Sequence, residues 1–73
     1  MSLNVGNIVK TLVSKPAQTK DEGTITVPEG YLGRVCAIQA TGFINVSFGT
    51  AEKNNFAVGC YAPEELVLVK WFI

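Results

Sequence analysis

Apolar and polar positions along this chain alternate in short runs, and no segment of about twelve residues repeats at helical spacing. In Thr24-Ile25-Thr26-Val27 the two threonines fall on one side and the two aliphatic residues on the other. Ile44, Val46 and Phe48 share a face, with Asn45 and Ser47 opposite. A period of two is the mark of a strand covered on one side, because successive side chains leave a strand in opposite directions. Residues 5–13 are dense in β-branched side chains (Val5, Ile8, Val9, Thr11, Val13), which lose rotamer freedom in a helix and pack well in a strand. Both faces of that segment carry apolar residues, and Lys10 interrupts it near the middle.

Turn residues punctuate these runs. Residues 14–23 combine Pro16, Gly23 and the charged Lys15, Lys20, Asp21 and Glu22, and read as a loop. Pro28 ends the strand before it, since proline cannot donate into a ladder. Gly30 and Gly33 bracket Tyr31-Leu32, predicting a turn followed by a kink or bulge. Strands follow over 35–40, 43–48 and 56–61, separated by the Thr41-Gly42 turn and a polar loop over 49–55. Pro63 suits the first position of a one-turn 3-10 helix over 62–65, and 66–71 forms a closing strand. Alternation assigns Ile25, Val27, Val35, Ile44, Val46, Phe48 and Leu66 to the core. The expected fold is all-β: one domain over residues 1–73, a small SH3-like barrel of five to six strands with a 3-10 turn before the last. Closure would hide the strand edges that an open sheet leaves bare.

Several motifs carry resemblances to SH3-like families. Val5-Gly6-Asn7-x-Val9-x-x-Leu12 resembles the opening strand of many of them, and Gly30-x-x-Gly33-Arg34-Val35-x-x-Ile38 is similar to the glycine-led strand of KOW-type modules. Asn54-Asn55-Phe56-Ala57, with Glu64-Glu65-Leu66-x-Leu68-Val69, resembles the closing segment of the photosystem I subunit PsaE. The ferredoxin–thioredoxin reductase variable chain is similar in length and loop layout. These resemblances imply a barrel acting as an accessory subunit that docks on a larger protein. The chain departs from the ferredoxin-handling families in lacking their basic docking character.

Composition narrows the chemistry. The 73 residues are 48% hydrophobic and 16% charged, with six basic and six acidic side chains and a net charge of zero. Sparse, balanced charge favours association over dispersal and argues against nucleic acid as the main partner. With no histidine and two cysteines, the chain cannot build a common structural zinc site alone, and neither thiol has a histidine to activate it. Cys36 and Cys60 sit within apolar runs and read as small, reduced, buried residues. Adjacent Glu64 and Glu65 read as solvated side chains of the 3-10 turn rather than a catalytic pair. No secretory leader and no membrane span are expected, which places the protein in the cytoplasm or within a larger assembly such as a virion.

No catalytic residue, cofactor or metal is therefore expected, and the protein is read as non-enzymatic. Its expected role is interaction or assembly, docking on a larger protein or on copies of itself, as in a structural subunit that decorates a capsid. The assigned interface residues are Tyr31, between two turn glycines, together with Tyr61, Trp71, Phe72 and Ile73. Trp71, Phe72 and Ile73 follow one another and cannot all enter one small core, because strand residues alternate faces. Two alternatives stand beside this reading. One is a tetrameric pore enzyme of the type II dihydrofolate reductase kind, although that family's Val-Gln-Ile-Tyr motif has no match here. The other is RNA binding through the KOW-like segment.

Overall fold

Seven antiparallel strands and one 3-10 turn make up the described residues, 3–20, 22–49 and 57–69, of the computed structural model. The strands are β1 (Ile8–Thr11), β2 (Lys15–Thr19), β3 (Thr24–Val27), β4 (Leu32–Ile38), β5 (Ile44–Phe48), β6 (Ala57–Tyr61) and β7 (Leu66–Leu68), with the 3-10 turn at Pro63–Glu65. They form a single sheet in the order β3-β2-β6-β5-β4-β1-β7. The expectation of an SH3-like barrel is overturned: the sheet is not closed. β3 and β7 lie at opposite ends of it, and among the described residues no strand joins them.

The strand count exceeds the expected five to six because residues 15–19 are not loop but strand β2. Pro16 and the surrounding charges hide it from a reading of composition. Pairing with β3 runs Lys15↔Val27, Pro16↔Thr26, Ala17↔Ile25 and Gln18↔Thr24. The Thr19 amide donates to the Gly23 carbonyl at 2.8 Å, so 19↔23 is a hydrogen-bonded position. Antiparallel ladders alternate, so Pro16 falls at a non-hydrogen-bonded position toward β3 and its missing N–H costs that ladder nothing. The cost appears on the other side. Among the described residues β2 meets β6 at Gln18↔Val58 and Thr19↔Ala57, and beyond Pro16 the Cys60 carbonyl is met by Lys15 Nζ at 3.5 Å.

The core lies on one face of the sheet. Val9, Val27, Val35, Ile44, Val46, Phe48 and Leu66 are buried, and Ile25 is partly buried beside them. Tyr31 and Tyr61 pack edge-on against Phe48, with ring centroids at 6.3 and 6.0 Å. Two glycines make room for these rings. A Cβ at Gly33 would lie 2.6 Å from Val46 and 2.7 Å from Phe48, and one at Gly59 would lie 2.9 Å from Tyr61. The irregularity expected at Gly33 occurs instead between Val35 and Ala37, at Cys36. Gly30 does supply the expected turn, with a φ of 91°. Thr11 is buried and fully engaged: its Oγ1 donates to the Pro28 carbonyl and accepts from the Tyr31 amide, both at 3.0 Å.

Candidate interaction surface

An open sheet has two edges, and here they differ. At β3 the hydrogen-bonded positions toward β2 are Gly23, Ile25 and Val27, which turns the N–H and C=O of Thr24 and Thr26 to the open side. Both threonines are exposed. The strand carries no charge, no proline and no bulge, the devices by which native edges are protected. β7 is shorter, with three residues. The Val69 amide donates to the Ile8 carbonyl and the Leu12 amide to the Glu65 carbonyl, so Leu66 and Leu68 are the residues of β7 turned to the open side. The Leu66 amide is already bound by the Pro63 carbonyl of the 3-10 turn.

The outer face of the sheet is uneven. Near β7, Lys10 pairs across to both Leu32 and Val67, forming an exposed row of two aliphatic side chains about one cation. Near β3 the outer face carries Pro16, Gln18, Thr24 and Thr26. In its middle lie the two cysteines, which are free and exposed, contrary to the expectation of buried thiols. The reason is alternation. In β6 the inward positions belong to Ala57, Gly59 and Tyr61, so Val58 and Cys60 point out. Cys36 and Cys60 stand on strands that flank β5, a separation of about 10 Å, beyond the roughly 7 Å that a disulfide spans. Cys36 Sγ lies 3.4 Å from the Asn45 carbonyl, and Gln39 Nε2 donates to Asn45 Oδ1 at 2.9 Å.

The residues assigned to an interface separate. Tyr31 is 47% exposed, whereas Tyr61 is 0% exposed, because the space above Gly59 admits its ring to the core. Trp71, Phe72 and Ile73 lie outside the described residues. Tyr61 is the centre of a small polar group. Lys15 Nζ stands 5.6 Å from its ring centroid and 2.8 Å from Glu65 Oε1. Glu65 Oε1 also accepts the Ala62 amide at 2.9 Å. The hydrogen bond from Lys15, then that from Ala62, hold the Glu65 carboxyl below its ordinary range. Burial, and then the Glu65 charge, push the Tyr61 phenol up. Its hydroxyl is buried with no hydrogen-bond partner among the described residues.

The group acts as a tie: among the described residues it links β2 to the 3-10 turn beside β7 through side chains. Among the described residues no three metal-ligating or acidic side chains gather, and no helix is long and apolar enough to cross a membrane. Thr24 and Thr26 were not among the interface residues read from the sequence. Their alternation with Ile25 is legible there, but their place at an edge depends on strand order. Comparison with protein-family models, curated proteins and solved structures finds no match for this chain.

Proposed function

We propose that this domain is a non-enzymatic assembly module that associates with further copies of itself by extending its open sheet. One observation carries the reading: β3 ends the sheet with two outward-facing residues, Thr24 and Thr26, and with no charge, proline or bulge against strand addition. An unpaired row of main-chain donors and acceptors is a template for another strand, and main-chain hydrogen bonds supply affinity in strand addition. The near-absence of net charge removes the long-range repulsion that keeps small domains apart. Free thiols on an exposed face suit a reducing compartment, so we assign the module to the cytoplasm or to a larger particle assembled there.

Sedimentation equilibrium over a concentration series tests the reading on the intact chain. The expected result is a weight-average mass that rises with concentration above that of one chain. A mass that stays at one chain throughout, with the fold intact, would overturn self-assembly and leave a larger protein as the partner.

A further inference from the structure

We infer that the occupant of the β3 edge is the same strand of a second copy, paired antiparallel about a two-fold axis through Ile25. This rests on the self-assembly reading and adds to it the edge, the partner and the register. Three observations on the strand converge.

The first is symmetry. A two-fold interface brings one patch against itself, so a strand pairing with its own copy must set each residue against one it can pair with favourably across the axis. Thr24-Ile25-Thr26 does so. With the axis at Ile25, Thr24 stands opposite the partner's Thr26, Ile25 opposite the partner's Ile25, and Thr26 opposite the partner's Thr24.

The second is hydrogen bonding. The outward positions are Thr24 and Thr26, and no hydrogen bond occupies the amide or carbonyl of either on that side among the described residues. In this register each exchanges an N–H and a C=O with its opposite number, so every donor that is offered meets an acceptor. The ladder then stops cleanly. The next outward positions are Glu22, whose amide already donates to Thr19 Oγ1 at 2.8 Å, and Pro28, which has no amide and whose carbonyl already accepts from Thr11 at 3.0 Å.

The third is side-chain placement. Thr24 and Thr26 project from the outer face, where each meets a threonine of the partner, a favourable cross-strand pair. Ile25 projects to the core side. It packs against the core and is only partly buried, with apolar surface left at the rim. Pairing places it beside the partner's Ile25 at a non-hydrogen-bonded position, where the Cα atoms approach to about 4.5 Å. The two cores become one continuous apolar layer.

β7 supplies the contrast. Leu66-Val67-Leu68 is also a palindrome, but the Leu66 amide is bound to Pro63. A copy paired about Val67 would leave the partner's Leu68 carbonyl without a donor.

Charge-pair variants test edge and register together, since both threonines are exposed and outward-facing. Thr24→Lys with Thr26→Lys sets lysine opposite lysine twice in the proposed pair, and association should fall at least about tenfold. Thr24→Lys with Thr26→Glu sets lysine opposite glutamate twice, and association should return to within a few-fold of the unmodified chain. Circular dichroism melts report whether both variants stay folded. Amide hydrogen exchange on the unmodified chain needs no variant. The Thr24 and Thr26 amides should slow as concentration rises, while the Ile25 amide, bonded within the chain, should not change. Equal self-association of all three chains, with no concentration effect on those two amides, would remove β3 from the interface while leaving assembly in place. Loss in the Lys/Glu variant equal to that in the Lys/Lys variant would overturn the register alone. A single-chain mass at every concentration would overturn the inference together with the reading on which it rests.

Discussion

The two edges of this sheet are built from the same kind of material and finished differently. β3 and β7 are both short and uncharged, and each contains a three-residue palindrome about a β-branched residue. β7 follows directly on a 3-10 turn whose first carbonyl captures the Leu66 amide, and it offers few free main-chain groups. β3 leaves a glycine-cornered hairpin with the main-chain groups of Thr24 and Thr26 facing out and, among the described residues, uncommitted. How open an edge stands to a further strand thus depends less on the side chains along it than on what the flanking turn does with its amides.

The comparison presumes one platform that carries both edges, and the largest effects should come from breaking it. Phe48 is buried at the centre, between Tyr31 and Tyr61. Phe48→Ala should cost about 3–5 kcal/mol, enough to abolish cooperative melting in a domain of this size. A melt near the parental temperature would mean that the edges do not depend on this core.

Next, the edges should differ in what anchors them. Leu66 of β7 is buried, whereas Ile25 of β3 is only partly so. Leu66→Ala should cost about 2–5 kcal/mol, and Ile25→Ala about 1–2 kcal/mol. Urea titrations at low protein concentration, where association is negligible, would check this ordering. Equal losses would erase the distinction.

Tyr61 sharpens the picture from the opposite direction. Its hydroxyl is buried without a partner among the described residues. Tyr61→Phe removes a stranded polar group while keeping the ring, and should stabilise by about 1 kcal/mol, a rise in Tm of about 4–8 °C. A fall in Tm would show that the hydroxyl is engaged.

The smallest effect belongs to the tie between the two ends. Glu65 has its carboxyl held down by Lys15 and by the Ala62 amide. A depressed carboxyl contributes stability above its unfolded value of about 4.3, and that contribution is lost as pH falls through the lower folded value. The pair is partly exposed and therefore screened by solvent. Comparing urea midpoints from neutral to acid pH, the parent should lose slightly more than Glu65→Gln. An identical pH profile for the two would exclude the tie.

Much of the architecture was legible in the alternation. The strands at 24–27 and 44–48, the 3-10 turn, and the buried Val27, Val35, Val46, Phe48 and Leu66 follow from period and turn chemistry alone. β2 was not, because Pro16 reads as a breaker until its position between two ladders is known. Closure was not legible either: whether β3 meets β7 depends on strand order, which local pattern does not encode. The inward turn of Tyr61 depends on the space left by Gly59, a matter of packing between strands rather than of hydropathy, and the outward turn of Cys60 follows from alternation beside it. The interface assignment followed aromatic content, whereas the proposed edge contact rests on main-chain polarity.

The missing amide of Pro16 has a further consequence for how the molecule opens. Among the described residues β2 holds β6 at two register positions, against five between β5 and β6. The β2–β3 hairpin is thus a weakly fastened cooperative unit, the part whose transient detachment should require the least free energy. An unfastened hairpin is also the element most easily exchanged between neighbours, so a shortened connection at 12–14 or 28–31, where it joins β1 and β4, would favour swapped dimers over paired ones.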